Sequence, residues 1–252
     1  MVLVILAAGT GTRLMPLTRN TPKMLLDLGD GTTLIERQID NAINCGKVEE
    51  IVVVSGYLSD QIESKLQCFA KVLPIRIVYN PFFDTTNNLV SVWCAHHVLS
   101  ERDFIISNGD NMYRDEVFTQ VLSTARDTIQ LTVDQKPAYD DDDMKVQLGP
   151  KNELVRVGKD IDPAETDRES IGLVVVRGER KRNQFIRKVL QCVRDKRYLG
   201  MFWLEIFNGI VNDGGLVDTI EVPRDSWREM DFHPDVSVIR DQLSKCLLQK
   251  VA

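Results

Sequence analysis

Two basic side chains in this sequence frame a stretch suited to phosphate chemistry. Leu6-Ala7-Ala8-Gly9-Thr10-Gly11-Thr12-Arg13 is followed by Thr21-Pro22-Lys23. A Gly-rich turn after a strand presents backbone N–H groups to a phosphate chain, and glycine lets the backbone approach closely. The stretch is not a Walker A motif, which needs GxxxxGK[ST]. Nor is it a dinucleotide fingerprint, because the third glycine of GxGxxG is missing and Pro16 follows at once. Arg13 and Lys23 beside one loop suit a triphosphate better than a dinucleotide pyrophosphate. The third-glycine test also removes an NAD-binding oxidoreductase.

Carboxylates and amides stand at other strand ends. Phe104-Ile105-Ile106-Ser107-Asn108-Gly109-Asp110 is an apolar run passing into Gly-Asp. An Asp just past the carboxyl end of a central strand stands where open α/β sheets bind ligands; a plain turn residue is the alternative. Asp231 closes Trp227-Arg228-Glu229-Met230-Asp231, ahead of Pro234-Asp235, where a helix-start cap is the alternative. Gly56-Tyr57, Asn80, and Thr86-Asn87-Asn88 follow two further strands on the side of the Gly loop. Amides there can read a base edge, or simply cap the next helix.

These residues need a scaffold of parallel strands, and the patterning supplies one. Residues 2–6, 51–54 and 75–79 read as buried strands. Between them, 33–44 carries a helical stripe closed by Gly46, and Ser59 caps a helix through Cys68. The order β-α-β-α-β implies parallel strands with helices on both faces. Further on, helices are predicted over 89–99 and 115–126 and strands over 103–107 and 128–133. A hairpin over 144–148 and 153–157 follows an acidic loop at 138–143. A strand at 171–176, helices at 184–193 and 201–212, a strand at 219–222 and a helix at 234–247 close the chain. The predicted fold is a Rossmann-like three-layer α/β/α arrangement around a mostly parallel mixed sheet. We read 1–252 as one domain, with a nucleotide-binding half to about 110 and an acceptor half from about 111.

Composition narrows the function classes. The 252 residues are 43% hydrophobic and 27% charged, as in ordinary globular proteins. A net charge of −6 argues against a nucleic-acid partner. No apolar run approaches the roughly 20 residues of a membrane span, and the N-terminus lacks the basic leader of a signal peptide. Five scattered cysteines without CxxC fit a reducing cytoplasm, and three histidines are too few for a zinc enzyme.

GTGTR followed by PK resembles the signature of the nucleotidyltransferases that make nucleoside-diphosphate sugars, and of their CDP-alcohol relatives. The resemblance covers essentially the whole chain. It implies catalytic roles for Arg13 and Lys23, a nucleotide cradle from Leu6 to Thr12, and Mg²⁺ on Asp110 and Asp231. Where the family usually has Thr after the second Asp and an acidic residue two further on, this chain has Phe232 and Pro234.

Gly56-Tyr57 and Asn87-Asn88 are similar to the branch acting on phosphocholine and related phospho-alcohols or phosphonates, which implies CTP as donor. Lys145, Lys159 and Glu169 resemble that branch's acceptor residues. The lysines suit the acceptor phosphate. Glu169 and the acidic run 140–143 suit an ammonium, with aromatic faces from Trp93, Tyr113, Tyr139, Trp203 or Trp227. The implied activity is transfer of CMP from CTP to a small phospho-alcohol or phosphonate, with release of pyrophosphate. A sugar-1-phosphate nucleotidyltransferase using UTP, GTP or dTTP is the alternative, and a non-catalytic nucleotide sensor a remote one. Oligomeric state is not legible in the residues, and a homodimer is left open.

Overall fold

The computed structural model describes residues 1–251, with side chains through Leu243. Among the described residues the main sheet has nine strands, seven of them in the order β10-β6-β9-β4-β1-β2-β3. β1 (Val2–Ala7), β2 (Glu50–Ser55), β3 (Ile75–Tyr79) and β4 (Phe104–Asn108) are parallel. Every residue of β1 and β2 is buried, because α1 (Leu34–Asn44) and α2 (Ser59–Leu66) cover one face and α3 (Asn88–Cys94) and α4 (His96–Glu101) the other. This is why the strands read as unbroken apolar runs rather than alternating ones.

β9 (Arg168–Arg177) lies between β4 and β6 (Thr128–Asp134) and is antiparallel to both, and β10 (Asp218–Glu221) adds parallel to β6. β7 (Lys145–Leu148) and β8 (Leu154–Gly158) form the expected hairpin, and β7 pairs with the start of β9. A separate ribbon joins β5 (Asn111–Tyr113) to β11 (Trp227–Glu229). The mostly parallel mixed sheet is therefore as the sequence implied.

Local differences have physical causes. The stretch 89–99 breaks into α3 and α4 at Ala95, whose ψ near 0° ends the first helix. α5 (Asp115–Val121) stops short of 126, and α6 (Glu179–Cys192) starts ahead of 184. α7 (Glu205–Asn212) starts later than expected, since Trp203 is drawn away to two asparagines. α2 is preceded by Leu58 in the left-handed region, and Ser59 is its first residue rather than its cap. α1 keeps a full capping box between Thr33 and Glu36. α8 (His233–Val251) is the final helix. No helix among the described residues is long and apolar enough to cross a membrane.

Candidate active site

The carboxyl ends of β1, β3 and β4 open onto a cleft of about 480 Å³, with residues 6–13 along one wall and Asp142, Met144, Lys159, Glu169 and Ser170 along the other. Gly11 has φ +63°, and a Cβ there would stand 3.0 Å from Thr18 and 3.2 Å from Lys23. The Thr18 hydroxyl donates to the Gly11 carbonyl at 2.8 Å, so the turn is fixed and its N–H groups are preset. Gly109 donates to the Leu6 carbonyl at 3.0 Å, and a Cβ would strike that oxygen and come within 2.6 Å of Met24 Sδ. Only glycine lets Asp110 stand so close to the loop.

The β5–β11 ribbon brings the distant carboxylates together. Glu229 lies opposite Asn111, and Met230 N–H donates to the Asp110 carbonyl at 2.9 Å. Asp231 is not the cap of α8. Asp235, in the first turn of α8, reaches back to accept from the backbone N–H groups of Asp231 (3.0 Å) and Phe232 (2.6 Å), and the Asp231 side chain is left to the cleft. Lys23 Nζ sits 3.1 Å from Asp110 Oδ2 and 2.7 Å from Asp231 Oδ1. Arg13 pairs with Asp231 and, at 3.2 Å, with Asp142. Its guanidinium stands 5.2 Å over the Phe232 ring, so the residue replacing the family's usual Thr contributes a face for Arg13.

Oxygens of Asp110, Glu229 and Asp231 lie within 4.8 Å of one another, and Asp110 Oδ1 is buried without a hydrogen-bond partner. Three hard carboxylates, one with an unsatisfied oxygen, fit a divalent cation that also takes substrate phosphates. Burial works against both charges of the Lys23–Asp231 pair. Yet Asp110 and Asp231 hold Lys23 above its ordinary value, and Lys23 and Arg13 hold Asp231 below its own. Glu229 goes the other way. Its side chain is exposed to the cleft, yet crowding by surrounding protein atoms, then Asp110 and Asp231, push its carboxyl upward.

The acceptor wall departs from expectation. Lys145 does not line the cleft. It is buried beneath the acidic loop, where Nζ donates to the carbonyls of Asp140 (2.9 Å) and Asp141 (3.3 Å). Lys159 does reach the cleft, 4.8 Å over the Phe202 ring, and is paired with Asp142. Glu169 also lines it, but already faces Lys136 at 2.8 Å. Burial pushes Glu169 up to about 8 although Lys136 pulls it down. Lys136 keeps its charge against burial through Asp143, 2.7 Å away, and Glu169. Of the acidic run, Asp142 and Asp143 therefore serve the protein's own lysines and Arg13, while Asp140 and Asp141 contribute backbone carbonyls to Lys145.

The base-reading candidates are engaged as well. Gly56 packs under Phe83, and Tyr57 donates its N–H to the Ala8 carbonyl (3.1 Å) and its hydroxyl to the Arg19 carbonyl (2.6 Å). Both support the Gly loop from behind and do not line the cleft. Asn80, Thr86, Asn87 and Asn88 do border it. Asn80 donates to Ser91 (3.0 Å) and accepts from Phe82 N–H (2.9 Å), Thr86 donates to the Phe82 carbonyl (2.8 Å), and Asn87 caps α3 at 2.7 Å. Asn88 accepts from Trp203 N–H at 2.8 Å, and the Trp203 indole N–H donates to Asn108 at 2.9 Å. Of the aromatic candidates, Trp203 and Trp227 line the cleft. Tyr113 is buried, and Trp93 stacks on His96. Lys136 has no assigned role in the sequence, Asp142 enters there only within the acidic run suited to an ammonium, and Glu229 only as the next ligand to try should Asp231 not hold the ion. For Glu229 a signal existed: residues two apart on an extended segment share one face, which places it beside Asp231.

Comparisons agree with this geometry. A family model described as nucleotidyl transferase matches residues 2–142. The CTP:phosphoglutamine cytidylyltransferase of Campylobacter jejuni is 26% identical over 93% of this chain and 97% of its own. The 2-aminoethylphosphonate cytidylyltransferase of Lancefieldella rimae is 33% identical over 62% of this chain and 60% of its own. The solved CTP:phosphocholine cytidylyltransferase of Streptococcus pneumoniae shares the fold, with a TM-score of 0.77 at 22% identity over 96% of this chain and 99% of that one. The chain is an enzyme of the nucleotidyl transferase family.

Proposed function

We propose that this enzyme transfers CMP from CTP to a small phospho-alcohol or phosphonate. An acceptor phosphate or phosphonate oxygen attacks the α-phosphorus in line. The bond to the bridging oxygen breaks, and pyrophosphate leaves with the electron pair. The acceptor is already ionised near neutral pH, so no side chain has to take a proton. The turn Gly9–Thr12 presents backbone N–H groups to the triphosphate. Lys23 and Arg13 offset the charge that grows at the α-phosphorus and on the leaving pyrophosphate. Asp110, Asp231 and Glu229 would hold a divalent ion, Mg²⁺ in this reading, which when bound neutralises phosphate charge. Lys159 lies where the acceptor's anionic end belongs.

The observation that carries the reading is Lys23 bridging Asp110 and Asp231 directly beneath the Gly turn. The cytidylyl choice is supported by the relatives named above. The unpaired state of Cys45, Cys68, Cys94 and Cys192 supports a cytoplasmic setting.

The test is a pyrophosphate-release screen crossing four nucleoside triphosphates with phosphocholine, aminoethylphosphonate, hydroxyethylphosphonate and several sugar-1-phosphates. CTP with a phospho-alcohol or phosphonate is the expected pair. Turnover confined to a sugar-1-phosphate with UTP, GTP or dTTP overturns the reading.

A further inference from the structure

We infer that Asp142 is a built-in occupant of the acceptor's anion subsite, its carboxylate holding the Arg13–Lys159 clamp until the phosphate or phosphonate of the acceptor displaces it. The inference rests on the proposed function for the identity of that ligand. Asp142 reaches across the cleft, 3.2 Å from Arg13 on the nucleotide side and 2.5 Å from Lys159 beyond β8.

Nothing else in the fold needs it there. The loop is fixed at its base by Lys145, which binds the carbonyls of Asp140 and Asp141, and by Asp143, which takes Lys136 and the Asp140 N–H. The Asp142 side chain itself is 45% exposed. Both cations have supports that survive its departure. Lys159 rests on Phe202, and Arg13 on Phe232 and Asp231.

The anion that replaces it must be the acceptor's. Only that group has to touch the acceptor wall and still place an oxygen on the α-phosphorus beside the Gly loop. A carboxylate and a phosphonate offer the same kind of charged acceptor oxygens to Arg and Lys, so they compete for one clamp. Asp142 thereby sets a threshold affinity for the acceptor.

Inorganic phosphate and methylphosphonate titrated calorimetrically into nucleotide-free protein are the probes. Asp142→Asn keeps the shape and removes the charge. Both anions should then bind about three- to tenfold tighter, the size set by losing two half-exposed charge pairs. The acceptor KM should fall by the same factor, and by more than the KM for CTP, which shares only the Arg13 half of the clamp. In a Lys159→Ala background the same change should bring no gain. Unchanged or weaker anion binding in Asp142→Asn, or a gain that persists without Lys159, overturns the inference. The calorimetry needs no turnover. If no triphosphate–acceptor pair reacts, the proposed function falls while the clamp is still judged by its own experiment.

Discussion

The wall formed by residues 6–13 includes two glycines and is held by β1 and by the Thr18 and Tyr57 contacts to its backbone, so backbone N–H groups are the donors it offers beside Arg13. On the opposite wall the Asp142 and Lys159 side chains are paired with each other, and Glu169 with Lys136. Backbone donors cannot be changed by substitution and suit a ligand part common to many substrates, the triphosphate. Side-chain pairs can be exchanged residue by residue and suit the part that varies, the acceptor. Damage to the first wall and its carboxylates should therefore abolish chemistry, and damage to the second should retune binding.

The largest effect is expected at the carboxylates. Asp110→Asn and Asp231→Asn should each lower pyrophosphate release by about 10³ or more, since the divalent ion loses a charged ligand. Titration with Mn²⁺ should show the lost metal affinity directly. Next come Lys23→Ala and Arg13→Ala, about 10²–10³ each in kcat with circular dichroism unchanged. Near-normal turnover in either variant would remove the distinction between the two walls.

On the acceptor side, two lysines separate by readout. Lys159→Ala should raise the acceptor KM about tenfold, the loss of a charged hydrogen bond. Lys145→Met should instead cost about 1–3 kcal/mol in denaturant unfolding, because it strips the acidic loop of its buried anchor. A pure KM effect at Lys145 would return it to the acceptor site.

The smallest effect is a pH slope. Glu169 is pushed above its ordinary value, up to about 8, so the folded state holds its proton where the unfolded chain has lost it. Its contribution is complete below about 4.5, the ordinary value for Glu, and is lost as pH rises through about 8. Thermal melts should show stability falling across that window, and less so in Glu169→Gln. If instead the acceptor bears an ammonium that Glu169 holds, Glu169→Gln should raise the KM of aminoethylphosphonate and leave that of hydroxyethylphosphonate alone.

Much of the nucleotide side was legible because it is local. A strand, a Gly turn, Arg13 and Lys23 lie within one short stretch, and Asp110 follows its own strand. The antiparallel insertion of β9 was not legible, since a buried apolar strand carries no mark of its direction. That Glu229 joins Asp110 as well as Asp231 was not legible, because its placement depends on the β5–β11 pairing. Lys145 and Lys159 are indistinguishable as letters. What separates them is that one faces the underside of a loop and the other the cleft. Asn80 and Asn87 border the cleft, but their side chains also take part in a turn and a cap, a second use of the same amide chemistry.

The β5–β11 ribbon also orders events in time. A chain emerging from the ribosome lays down β1, the Gly turn and Asp110 early, and these can dock as soon as β4 is out. Glu229 and Asp231 arrive more than a hundred residues later, and closing so long a loop comes after the local contacts have formed. Until β11 zips onto β5, nascent protein has a phosphate cradle but no complete ion site. The ion site is thus the last part of the cleft to be completed.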